Sequence, residues 1–84
     1  MKKARKTILG VHVAHRTKHT AKVQKILSEF GCSIRTRIGL HDAGDGFCSP
    51  NGLILLEVVS RAGELAAALA QVPGVTVKKM VFEE

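Results

Sequence analysis

The residues with the most chemistry per position lie in one twelve-residue stretch, His41-Asp-Ala-Gly-Asp-Gly-Phe-Cys-Ser-Pro-Asn-Gly52. It holds an imidazole, two carboxylates, a thiol, a hydroxyl and a carboxamide. It lies between two apolar, strand-like runs, 34–40 and 53–59. A hairpin needs only about two to five connecting residues. The surplus reads as a loop that forms one wall of a site.

Three chemistries are open to it. His41 and Cys48, with His15, offer ligand types for zinc, nickel or copper. The chain has no Cys-x-x-Cys and no His-x-His, so the spacing favours surface histidines and two small buried thiols, Cys32 and Cys48, over a metal site. Cys48 is also a nucleophile type, and His41 a base type. No third group to orient the base is recognisable, and the expectation is that the protein is not an enzyme. The third chemistry is binding. Asp42, Gly44, Asp45 and Gly46 read as turn residues, as do Ser49-Pro50-Asn51-Gly52. Arg37, His41, Cys48, Ser49 and Asn51 then remain as contacts for a small ligand, an anionic one suiting the arginine. Arg35 and Arg37 read either as solvated charges on an edge strand or as groups that bind an anion or an opposing subunit.

The elements that must position these residues follow from periodicity. Residues 7–14 alternate, with Leu9, Val11 and Val13 on one face and Ile8, Gly10 and His12 on the other, which predicts a strand. A polar entry, His15 to Thr20, precedes a helix with Thr17 as its N-cap. Val23, Ile26, Leu27 and Phe30 form its buried stripe, and Gly31 ends it in the left-handed conformation. Residues 34–40 predict an edge strand, with Ile34, Thr36, Ile38 and Leu40 on one face and Arg35 and Arg37 on the other. Residues 53–59 are almost continuously apolar, as in a central strand covered on both faces. Residues 61–71 predict a second helix with Leu65, Ala66 and Leu69 inward. Pro73-Gly74 breaks it, and 75–82 is the last strand.

The order β-α-β-β-α-β predicts an α+β, ferredoxin-like sandwich. Two helices cover one face of a four-stranded antiparallel sheet of order 4-1-3-2. Strands one and two then run in the same direction, two strand spacings or roughly 10 Å apart. His15 and Arg16, after the first strand, face the 41–52 loop. The first helix adds its N-terminal N–H groups and partial positive charge.

Composition bounds the rest. Eighty-four residues make a single domain, 7–84, after a basic arm, 1–6, that carries four of the thirteen basic residues. The formal charge is +6, and the arm reads either as a solvated terminus or as a contact to nucleic acid or an acidic partner. An RNA-recognition sheet would stack bases on central-strand aromatics, and neither 7–14 nor 53–59 contains one. Two cysteines make no disulfide framework, and no run spans a bilayer, so a cytoplasmic protein is expected. A core this thin points to homo-oligomers, dimers or tetramers.

Three segments carry a resemblance: 23–31 (VQKILSEFG), 35–41 (RTRIGLH) and 47–57 (FCSPNGLILLE). With the closing Pro-Gly-Val-x-Val-Lys-Lys-Met-Val-Phe, they make the chain similar to the bacterial iron-only hydrogenase system regulators. The resemblance implies an ACT-like fold, similar to the C-terminal domain of the nickel-responsive repressor. It also implies assembly into dimers or tetramers, with small ligands or metals bound near subunit interfaces. The chain departs from that repressor in lacking a separate DNA-binding domain and the paired His-x-His of the second strand. Nickel sensing is therefore not carried over.

The expected function is a stand-alone regulatory or sensor domain. Its ligand would lie between the loop (Arg37, His41, Cys48, Ser49, Asn51) and the helix start (His15, Arg16). No cofactor is specified. A metal site from His15, His41 and Cys48, and a nucleic-acid accessory using the arm, are the alternatives.

Overall fold

The alternating runs become strands because period two sends every second side chain to the same side, where two helices bury it. The structure is a computed structural model. It describes the backbone at 5–14, 16–44 and 47–83, and the side chains there except at 16–20, 41–44 and 47–51. Its elements are β1 (Arg5–Val13), α1 (Arg16–Glu29), β2 (Ile34–Gly44), β3 (Phe47–Val58), α2 (Ala62–Ala70) and β4 (Val75–Glu83). A 3₁₀ turn, Gly31–Ser33, joins α1 to β2. The sheet order is β2-β3-β1-β4 with every neighbouring pair antiparallel. This is the predicted ferredoxin-like order.

The core lies between the sheet and the helices. Leu9, Val11 and Val13 of β1, Leu56 and Val58 of β3, Val23 and Leu27 of α1, and Leu65 and Leu69 of α2 are buried there. Val72 closes it beneath the turn into β4. Gly74 makes that turn at φ 82°, where a Cβ would clash with the backbone. Its carbonyl accepts the Ala14 N–H at 2.9 Å, tying the end of β1 to the start of β4.

Several local expectations are corrected. Thr17 is not an N-cap, because the helix already includes Arg16. Gly31 does not close α1 with a positive φ; it opens the 3₁₀ turn, in which the Ser33 N–H donates to the Phe30 carbonyl at 2.9 Å. Arg5 and Lys6, read as part of the basic arm, belong to β1 and pair with Glu83 and Phe82 in the sheet.

The face assignment of β2 also changes. Ile34 pairs with Val58 but Thr36 with Glu57, so Arg35 is an extra residue in a bulge. Ile34 therefore packs on the core, while Thr36, Ile38 and Leu40 pair with the uncovered-face residues Glu57, Leu55 and Leu53. Arg35 and Arg37 part company at the same point. β3, read as covered on both faces, is covered by this chain's helices on one only. Leu53 remains 36% exposed on the other face.

Candidate functional site

The site begins where β1 ends. Val13 pairs with Gly52, and Gly52 pairs with His41, so one row crosses the sheet from β1 through β3 to β2. That row places His41 two strands from Val13, at the end of the sheet where α1 starts. Past it, β1 and β4 do not continue: Val13 is the last residue of β1 and lies opposite Val75, the first of β4. β2 and β3 continue as a two-stranded hairpin, with Ala43 opposite Cys48 and Gly44 opposite Phe47.

The expected twelve-residue loop is therefore mostly strand. Between His41 and Ala43 the chain advances two residues on β2 but four on β3, from Gly52 to Cys48. Ser49, Pro50 and Asn51 oppose Asp42 alone. Proline has no N–H for a ladder, and a bulge is where a strand accommodates one. The Pro-Asn-Gly signal thus marks an irregularity within a strand instead of a turn between strands. The residues between Gly44 and Phe47 lie outside the described ones.

Of the expected site residues, His41, Cys48, Ser49 and Asn51 are placed on the backbone of this hairpin, and Arg16 is the first residue of α1. His15 lies outside the described residues. Arg37 is not at the hairpin end. It is four residues before His41 on β2, about 13 Å along the strand. Its guanidinium donates to the Gln24 carboxamide oxygen in the middle of α1. That bond uses one of five N–H donors and holds the charge between strand and helix. Gln24 is a residue that sequence reasoning missed; it falls on α1 beside the buried stripe without being part of it.

Glu57 is the second missed residue. The β2 bulge sets two residues opposite it: Thr36 Oγ1 donates to Glu57 Oε1 at 3.2 Å, and Arg35 Nη1 lies 3.7 Å from Glu57 Oε2. Arg35 is thus a partner of Glu57 on the uncovered face and is separated from Arg37 by the sheet. A carboxylate inside the LILLEVV run signals a partner across the strand, but only the bulge reveals which.

A third cluster joins the helix ends. Arg61 precedes α2 with φ 55°, an uncommon conformation for a residue with a side chain. Its guanidinium lies 4.5 Å from the centre of the Phe30 ring and donates to Glu64 Oε2 at 2.8 and 3.1 Å. The hydrogen bond and the charge of Glu64 raise the Arg61 pKa further above its ordinary value. Ser60 Oγ donates to Ser33 Oγ at 2.9 Å beside it. These contacts lock the end of α1 to the start of α2 and are structural.

Among the described residues no three His, Cys, Asp or Glu side chains come together as a metal site. Cys32, expected as a buried thiol, is free and exposed in the 3₁₀ turn between α1 and β2. No helix among them is long and apolar enough to cross a membrane.

No family profile matches the chain. No curated protein matches it either. Solved structures do. An uncharacterized protein, TM1266, from Thermotoga maritima superposes with a TM-score of 0.77 at 25% identity, over 94% of this chain and 99% of that one. CPII, a nitrogen regulatory PII-like protein from Thiomonas intermedia K12 solved with ADP, AMP and bicarbonate, superposes with a TM-score of 0.55 at 18% identity. That match covers 99% of this chain and 98% of CPII. Both span the whole ferredoxin-like unit, and the CPII likeness is one of fold.

Proposed function

We propose that this chain is a small regulatory domain that binds a small anionic ligand beside the base of the β2–β3 hairpin and answers by a change in assembly. The observation that carries the reading is the row Val13–Gly52–His41, which brings the polar hairpin and the start of α1 to one end of the sheet. The α1 N-terminus there offers unpaired N–H groups and a partial positive charge to an anion. Arg37 supplies a fixed guanidinium farther along the same strand, and an elongated anion such as a nucleotide could engage both. The whole-length likeness in fold to a PII-like protein that holds ADP, AMP and bicarbonate supports this ligand class.

His15, Arg16, His41, Cys48, Ser49 and Asn51 are the proposed contacts at the hairpin end, with Arg37 at the far end. The role is binding and not catalysis. Resemblance in sequence to the iron-only hydrogenase system regulators makes such a system the proposed regulatory setting. The ligand acts by binding one state of the chain better than another.

Thermal denaturation with ADP, AMP, bicarbonate or inorganic phosphate tests this. At about a hundred times the Kd a ligand adds roughly 2.7 kcal/mol, which raises Tm by more than ten degrees in a domain of this size. One of the four is expected to do so, and His41→Ala and Arg37→Ala each to weaken it. Stoichiometric metal that is lost in His41→Ala, with no anion effect, would replace this reading with the metal-binding one.

A further inference from the structure

On the side of the sheet that faces the helices, three rows lead towards the hairpin: Leu9–Leu56–Arg37, Val11–Ile54–Gly39 and Val13–Gly52–His41. α1 packs over β1 and β3, the inner strands of those rows. It runs opposite to β2, because β1 and β2 are both antiparallel to β3 and α1 returns from the end of β1. The Arg37–Gln24 hydrogen bond bridges strand and helix and closes one end of a groove between them. From that bridge towards the hairpin, Gly39 lies about 7 Å farther along β2. Ala21 lies about 4.5 Å back along α1, on the same flank as Gln24. Both are exposed. Ile54, paired with Gly39 and partly buried against the core, borders the floor.

Folding alone does not account for two features of this groove. The first is Gly39. Its φ is not positive, and an added Cβ would meet no atom within 4 Å. Neither conformation nor packing requires glycine there, and glycine weakens a strand. A strand glycine of this kind marks a place where something else approaches the backbone closely. The second is Arg37. Among the described residues, Arg5, Arg35 and Arg61 each meet a carboxylate, whereas Arg37 meets the neutral carboxamide of Gln24. That partner holds the charge in place beside the hollow without neutralising it.

We infer that the hollow over Gly39 takes the flat ring of a nucleotide, and that Gly39 and Ala21 select a ringed anion over a small inorganic one. The inference rests on the proposed function and sharpens its ligand class, with the phosphate end of the nucleotide at the hairpin. A planar ring needs a gap free of side chains and a partner for its face. Glycine on the strand and alanine on the helix leave the gap. The Arg37 guanidinium supplies the partner, since its plane stacks on ring faces. Its remaining N–H donors and the Gln24 amide N–H groups suit ring nitrogens and carbonyls. Length agrees. Gly39 and His41 are about 7 Å apart along β2, comparable to the span from a base to the first phosphate of its nucleotide. Bicarbonate or phosphate alone would occupy the hairpin end and leave the hollow unused.

Isothermal titration calorimetry of the full chain with AMP and with inorganic phosphate tests the inference, with far-UV circular dichroism as the control for folding. The wild type is expected to bind AMP roughly tenfold or more tightly than phosphate. G39V fills the hollow from β2; valine suits a strand, and no atom of the chain stands in its way. A21L fills it from α1 with a good helix former. Each is expected to reduce the preference for AMP over phosphate by roughly tenfold. Phosphate bound as tightly as AMP, or a preference that both variants leave unchanged, overturns the inference and leaves the anion site at the hairpin standing. Binding of neither AMP nor phosphate overturns the inference, and the proposed function falls with it only if ADP and bicarbonate also fail to bind.

Discussion

At the scale of residues, a few positions set conformations that the rest depend on. Gly74, at φ 82°, turns the chain from α2 into β4 and receives the Ala14 N–H. A Cβ in that region costs about 1–2 kcal/mol. Gly74→Ala is therefore expected to lower Tm by roughly 4–8 °C for each of those kcal/mol, measurable by calorimetry. An unchanged Tm would mean that the turn tolerates another conformation. Arg37 has a different standing. Type and strand parity named it as a candidate, and the structure gives it a partner, Gln24, that no periodicity in α1 singles out. Pairings of this kind depend on where a helix lies across a strand, and single-chain patterns do not contain that information.

At the scale of elements, alternation and helical spacing made the order, the topology and most of the core legible. Leu9, Val11 and Val13 are buried in β1 as their period requires, and so are Val23 and Leu27 in α1. What failed was register within β2 and β3. A bulge inserts one residue without changing composition, so Ile34 and Thr36 look like members of one face and are not. The Ser-Pro-Asn-Gly segment carries turn residues, yet it serves as an irregular stretch of β3, because glycine and proline fit bulges for the same reasons they fit turns. The β2 bulge makes its own prediction. Deleting Arg35 removes the extra residue, and Ile34 can then keep its place on the core only if the following strand slips. The loss is expected to be about 1.5 kcal/mol, the low end for burying an isoleucine, since Ile34 is only partly covered. Urea denaturation measures it; a variant as stable as the wild type would show that the bulge does not set the register.

At the scale of the whole molecule, two regions of the sheet lie outside the core, one of its ends and the face turned away from the helices. One end gathers the β2–β3 hairpin and the start of α1. The open face, away from the helices, presents Ile38, Leu40 and Met80. In the proposed function a ligand bound at that end shifts assembly, and assembly then shifts ligand affinity by the same factor. Residue type named the candidates, and topology predicted the common end of the sheet that Arg16, His41, Cys48, Ser49 and Asn51 share, while Arg37 lies farther along β2. Nothing in a single sequence identifies the ligand, since anion recognition by N–H groups and guanidinium is shared by phosphates and carboxylates. The most direct test of the central claim is an amide-resolved NMR titration of the full chain with ADP. The expected result is saturable shifts that are largest at 16–20, 37–44 and 47–52, the hairpin with the strand before it and the start of α1. Saturable shifts that leave 16–20, 37–44 and 47–52 unmoved, or no saturable shifts with ADP, AMP, bicarbonate or phosphate, would contradict it.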